Sequence, residues 1–272
     1  MSTVIDVHTH IGVIPGGPKI DRARVLQKLL REAKQNKISR VVVIVGFRRK
    51  DSWDSSTSEA LELTKKLPNV SVIGSLDILR YTKRDLVQFE RWLKSKAIVG
   101  IKIYTGYQHI YPSDKRCLPI YKLCIKYNAP VIFHSGDTLA GYVDNPKIKY
   151  SHPIHIDEVA TDFPQLKIVI AHMGNPWLVD CAEVLYKNPN VYADISGLVV
   201  GADLKTPYGK LMKQRIEELI AYVGSNKLMY GTDWPLCPMK DYLKFVSTLN
   251  VSKVEREKIL SGNAKKTFNL QH

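Results

Sequence analysis

Residues 40–45 read RVVVIV, five β-branched aliphatic side chains in succession behind one arginine. A strand with one wet face alternates apolar and polar residues, so a run that is apolar on both parities belongs to a strand covered on both sides. Strands of that kind are typically parallel and lie under helices. Working outward from this run, the same unit recurs along the whole chain. Short β-branched runs stand at Val4–His8, Arg40–Val45, Ser71–Asp77, Ile98–Tyr104, Pro130–His134, Lys167–His172, Val191–Ser196 and Lys227–Asp233. Their ends are spaced about 32 residues apart, the length of one strand–helix crossover. Between them lie DRARVLQKLLREAKQN (21–36), KRDLVQFERWLKS (83–95), LPIYKLCIKYN (118–128) and GKLMKQRIEELIAYV (209–223). Their apolar residues fall at i, i+3, i+4 and i+7, as a helix with one face on a sheet requires. Eight such units predict an α/β fold, a single-domain (β/α)₈ barrel over residues 1–272; an open doubly wound sheet is the alternative.

Composition narrows the class. The chain has 272 residues, 44% hydrophobic and 24% charged, which excludes disorder and suits one large packed domain. Four cysteines, Cys117, Cys124, Cys181 and Cys237, form no C-x-x-C pair and read as reduced thiols, hence a cytoplasmic protein. The segment MSTVIDVHTHIG carries Asp and His where an export signal is apolar, and no aliphatic run approaches the ~20 residues that span a bilayer. A net charge of +14 raises the question of nucleic acid. The charge is spread through the helices, however, and its densest groups, Arg48-Arg49-Lys50 and Lys265-Lys266, are short; a solvated basic surface is the favoured reading. Neither G-x-x-x-x-G-K-S/T nor G-x-S-x-G occurs.

Chemistry concentrates at strand ends. His8 and His10 stand two apart at the end of the first strand, and a period of two aims both rings to one face, where two imidazoles can chelate an ion. His134 ends the fifth strand, His172 the sixth and Asp233 the eighth. In a barrel these positions form the mouth where catalytic residues gather. Nitrogen and oxygen donors without a Cys ligand suit a catalytic divalent ion, Zn²⁺ first, then Mn²⁺, Fe²⁺ or Co²⁺.

At these residues the chain resembles the amidohydrolase superfamily, in particular the amidohydrolase-related group that includes aminocarboxymuconate-semialdehyde decarboxylase. The matching stretches are IDVHTHIG, GIKIYTGYQHIYPSD, LPIYKLCIKYNAPVIFHSGDT, HPIHIDEVATDFPQLKIVIAHMGNPW, NVYADISG, YGTDWP and ILSGNAKKTFNL. The resemblance implies one divalent metal, usually zinc, held by His8, His10, His134 and Asp233, with His172 as the acid–base residue. Asp233 would serve both as ligand and as acceptor of a proton.

Other positions are read more weakly. Arg48 and Arg49 after the second strand and Arg80 after the third suit a carboxylate clamp. Tyr104 and Trp234 suit walls for a planar substrate. Asp194 and Ser196 share a parity, so at most that pair of the seventh strand reaches the mouth. His152 and His155 read as shaping a loop and a helix start, and Cys237 as a buried free thiol. Lys102, on the parity of Gly100 and Tyr104, turns into the barrel. There it is either a polar residue of the mouth or, by resemblance to binuclear hydantoinases, a carbamylated bridge to a second metal; one metal is favoured. The first expectation is hydrolysis of a small carboxylated lactone, amide or ester, and the second is non-oxidative decarboxylation on the same metal site. A TatD-like nuclease ranks below both, because GIKIY offers Lys102 where such nucleases carry Glu. The partner is thus a small molecule, with neither nucleic acid nor membrane, and the sequence leaves a homo-oligomer open.

Overall fold

The computed structural model describes residues 3–12, 21–47, 54–200 and 205–270. All eight expected strands form, most of them shorter than expected, with β1 running one residue further and β3 starting one residue earlier: β1 (Ile5–Thr9), β2 (Arg40–Ile44), β3 (Val70–Ser75), β4 (Gly100–Ile103), β5 (Val131–Phe133), β6 (Ile168–Ile170), β7 (Val191–Asp194) and β8 (Leu228–Met229). They pair in chain order as one parallel sheet, β1 to β8. Closure between β8 and β1 rests on three backbone bonds: Val7 N–H to the Tyr230 carbonyl (3.0 Å), Asp233 N–H to that of His8 (2.8 Å) and His10 N–H to that of Trp234 (2.8 Å). The fold is a (β/α)₈ barrel, and the doubly wound alternative is set aside.

Both faces of the sheet are buried, as the RVVVIV run requires. Ile5, Val7, Val42, Ile44, Ile73, Ile132, Val169 and Met229 fill the barrel interior. Val41, Val43, Val72, Ile101, Ile103, Val131, Ile168 and Ala193 face the helices outside. α1 (Arg22–Gln35), for example, begins at Asp21, whose carboxylate accepts from the Ala23 N–H, and buries Val25, Leu26, Leu29 and Ala33 against that outer layer. Among the described residues no helix is long and apolar enough to cross a membrane. All four cysteines are buried thiols outside any disulfide.

One irregularity positions the mouth. β1 pairs Asp6 with Val41 but Thr9 with Val43, a shift of register inside the strand. A plain alternation would carry Asp6, His8 and His10 on one face. Instead, the Asp6 carboxylate holds the shifted segment: it accepts from the N–H groups of His8 (3.2 Å) and Thr232 (3.0 Å) and from the Thr232 hydroxyl (2.6 Å). This ties the first strand to the turn after the eighth. Burial of Asp6 raises its pKa to about 7 against the lowering effect of those donors.

Candidate active site

Three strand ends leave the regular path where the chemistry lies. His172 and Met173, in the turn Ala171–Gly174 after β6, hold φ of +58° and +49°. Asp233, four residues beyond β8, holds +61°. Non-glycine residues in the left-handed region cost of order 1–3 kcal/mol each and persist where the surroundings fix them. Thus His172 and Asp233 are not the last residues of their strands, as the sequence reading placed them, but sit on strained turns just past them. Gly197 (φ +65°) fits between: a Cβ there would lie 3.0 Å from Asp233 Oδ2 and 3.2 Å from His172 Nδ1.

His8, His10 and Asp233 each present one ligand atom, and the three lie within 4.8 Å of one another. Asp233 Oδ1 stands 3.6 Å from His8 Nε2 and 3.2 Å from His10 Nε2. The far nitrogen of each ring is held by a second carboxylate: His8 Nδ1–H donates to Asp194 Oδ2 (2.9 Å) and His10 Nδ1–H to Asp54 Oδ2 (2.6 Å). A carboxylate only accepts, so each pairing keeps a proton on Nδ1 and turns Nε2 toward Asp233. Burial, followed by the Lys102 ammonium, lowers the His8 pKa to about 3, so this ring is neutral. For His10, burial lowers the pKa, but Asp54 and Asp233 together outweigh it and raise it to about 9. Burial would raise the Asp233 carboxyl, yet the surrounding histidines hold it below the usual carboxylate range.

A second set joins His8, His172 and Asp194. Asp194 Oδ1 accepts from the His172 N–H (3.0 Å) and the Ser196 N–H (3.1 Å). Ser196 Oγ lies 3.0 Å from His8 Nδ1 and 2.9 Å from His172 Nδ1, and the Ser196 carbonyl accepts from His172 Nδ1–H (3.1 Å). His172 therefore presents Nε2 as its basic nitrogen. His134 stands beside these groups, its ring 5.2 Å from that of His172. Its Nε2–H donates to the Asp137 carbonyl (2.8 Å), which leaves Nδ1 as its donor atom, and burial holds it neutral.

These residues floor a cavity of about 230 Å³ walled by Tyr104, Tyr107, Tyr142, Tyr208 and Leu139. Tyr104 donates to the Val45 carbonyl (2.9 Å) and stacks on His134 with ring centroids 6.1 Å apart. Lys102 lines the same cavity, fully buried. Two expectations are corrected. Trp234 does not wall the cavity: it is 2% exposed, packed in the outer core, and its Nε1–H donates to Glu32 (2.8 Å). Arg80 lines a neighbouring cavity beside the segment that follows β3, one that His8, His10, His134 and His172 do not line. Arg48 and Arg49 lie outside the described residues. His152 packs on Trp177 and His155 opens the helix His155–Asp162, as loop-shaping residues do. The sequence reading missed Asp54, whose only signal was an acidic residue in the loop after a strand. It also missed Tyr107, Tyr142 and Tyr208, three among 14 tyrosines.

Barrel, mouth and paired histidines together define a barrel enzyme. The amidohydrolase family model matches residues 5–270, and the chain belongs to that family, as an enzyme of the amidohydrolase superfamily. A gamma-resorcylate decarboxylase of Polaromonas sp. strain JS666 is 26% identical over 116 residues, 40% of this chain and 36% of that relative's length. Among solved structures, a probable 2-pyrone-4,6-dicarboxylic acid hydrolase from Acinetobacter baumannii superposes with a TM-score of 0.73 at 17% identity, covering 98% of this chain and all of that one. A dihydroxybenzoic acid decarboxylase from Polaromonas sp. JS666, solved with manganese and the inhibitor 2-nitroresorcinol, gives 0.70 at 15% identity, covering 99% and 98%. Of these relatives, the dihydroxybenzoic acid decarboxylase is the one described with a divalent metal, manganese.

Proposed function

We propose that this protein is a non-oxidative decarboxylase of a hydroxylated aromatic acid. The observation that carries the reading is a small cavity with tyrosine walls set directly on the His8, His10 and Asp233 donor set. At about 230 Å³ it falls below the roughly 300–1,000 Å³ of sites for drug-sized ligands and suits a single ring. The similarity of one segment to a gamma-resorcylate decarboxylase supports the same choice, and it reverses the order in which the sequence ranked hydrolysis and decarboxylation.

The donor set fits a divalent ion: two imidazole nitrogens turned inward by carboxylates, one carboxylate oxygen, and His134 Nδ1 to complete it. Bound there, such an ion supplies a Lewis acid for a substrate oxygen. The zinc preference of the sequence reading stands beside manganese in the related decarboxylase. His172 carries the proton chemistry. Its Nδ1–H is fixed on Ser196, so Nε2 is the nitrogen that gives a proton to the ring carbon as the bond to the carboxylate breaks. Carbon dioxide leaves, hydrogen takes its place, and His172 regains its proton from solvent. The tyrosine walls hold the ring flat through this exchange.

Hydrolysis of a small carboxylated lactone is the second reading, favoured by the likeness to the probable 2-pyrone-4,6-dicarboxylic acid hydrolase. Metal-replete protein incubated with mono- and dihydroxybenzoates and with carboxylated lactones, read by product mass, separates the two. Loss of carbon dioxide from a hydroxybenzoate supports decarboxylation, and gain of water by a lactone transfers the assignment. Turnover of neither refutes both.

A further inference from the structure

Lys102 is a charged group of the cavity that the mechanism leaves unused. Its β4 neighbours Ile101 and Ile103 face the helices, so Lys102 points inward, in register with Ser75 on one side and Ile132 on the other. It is 0% exposed, and its Nζ makes no hydrogen bond. Its Nζ stands over the face of the Tyr104 ring, 5.4 Å from the centroid. An ammonium carries three donors, and one left unsatisfied in a buried site is costly unless a ligand meets it. Burial lowers its pKa only to about 8, opposed by Asp194 and Asp233, so the charge is present at neutral pH.

The surrounding cations sharpen the point. Among the described residues lining this cavity, Lys102 is the one lysine or arginine. Arg80, the described arginine expected to clamp a carboxylate, lines a different cavity.

We propose that Lys102 is the anion anchor of the site, its buried ammonium pairing with the carboxylate of an aromatic acid seated between the tyrosines. The assignment deepens the reading of the site given above and specifies its ligand as an anion rather than a neutral phenol. An ion pair to a carboxylate is made before the carbon–carbon bond breaks, so it contributes to binding more than to the chemical step. Lys102 is thereby a specificity residue, and its loss raises KM more than it lowers kcat.

The test uses metal-replete protein, salicylate and its uncharged isostere salicylamide, with binding followed by calorimetry. Wild type is expected to prefer salicylate at least tenfold. In Lys102→Met and Lys102→Gln the preference shrinks to about threefold or less, with metal content by elemental analysis unchanged. Removing an unpaired buried charge also raises Tm in Lys102→Met. The proposal is overturned by a wild type that binds neither compound or does not discriminate, by variants that keep the preference, or by loss of metal with the lysine. Salicylate binding that depends on Lys102 without release of carbon dioxide from any hydroxybenzoate sinks the decarboxylase reading and leaves the anchor standing. Carbon dioxide release with selectivity unchanged in both variants does the reverse.

Discussion

Replacing Asp54 by Asn changes one oxygen for an amide nitrogen at a point that can accept no donor. In the native protein Asp54 Oδ2 accepts from His10 Nδ1–H (2.6 Å) while Oδ1 accepts from the Ser55 N–H (2.7 Å). Asn offers one acceptor for these two donors. If its oxygen serves Ser55, the amide N–H₂ faces His10 Nδ1, the ring proton moves to Nε2, and the lone pair that faces Asp233 is lost. Disturbing a partner of this kind costs 10- to 100-fold in metal affinity, about 1–3 kcal/mol. A second effect opposes it. Asp54 is the largest influence raising the His10 pKa, to about 9, so at pH 7 a metal must displace a proton at a cost on the order of 3 kcal/mol. The variant escapes most of that competition. The two effects nearly cancel at pH 7, and only the first survives above pH 9. Wild-type affinity therefore rises about tenfold per pH unit from 7 to 9, the Asp54→Asn curve is flatter, and the deficit opens to 10- to 100-fold at pH 9.5. Chelator-buffered metal titrations across this range measure it. A ratio that stays constant with pH, or a variant that binds more tightly at pH 9.5, refutes the assignment of Asp54 and His10. The same pair sets a stability trend in metal-free protein. Because the folded pKa lies above the unfolded value of 6.5, its stabilisation is complete below pH 6.5 and is lost as pH rises through about 9.

His172→Asn is expected to keep metal content and lose most turnover, whereas His10→Ala or His134→Ala loses both together; elemental analysis beside an activity assay distinguishes the roles. Gly197→Ala places a Cβ against Asp233 Oδ2 and His172 Nδ1 at positive φ, so Tm falls by the equivalent of about 1–2 kcal/mol and turnover falls further than stability explains. Trp234→Phe removes the bond to Glu32 and costs about 1 kcal/mol in denaturant unfolding while KM stays unchanged, since the indole does not reach the cavity. Metal-replete protein is expected to carry close to one ion per chain, and a ratio near two would make Lys102 and His172 candidate ligands of a second.

The barrel was legible because two-sided apolar strands and one-sided helices leave periods of 2 and 3.6 in a linear text. His8, His10, His134, His172 and Asp233 were legible for a similar reason: each lies within a few residues of a strand end. What the text concealed is the backbone that aims them. Alternation through IDVHTH carries no trace of the register shift between Asp6 and Thr9, which depends on Asp6 finding the Thr232 N–H and hydroxyl 226 residues away. Likewise, Trp234 follows Asp233 directly and reads as a wall for a planar substrate. The left-handed turn at Asp233 instead sends the carboxylate into the mouth and the indole outward to Glu32 on α1. Asp54 was hidden by distance of another kind, since it meets His10 across 44 residues of chain and no periodicity marks the pair. The ligand-type residues were thus readable by identity, while their partners Asp54 and Asp194, which decide which nitrogen each histidine presents, are defined only by contacts across the closed barrel. Substitutions at these partners discriminate best between this site and any other barrel mouth that merely collects histidines.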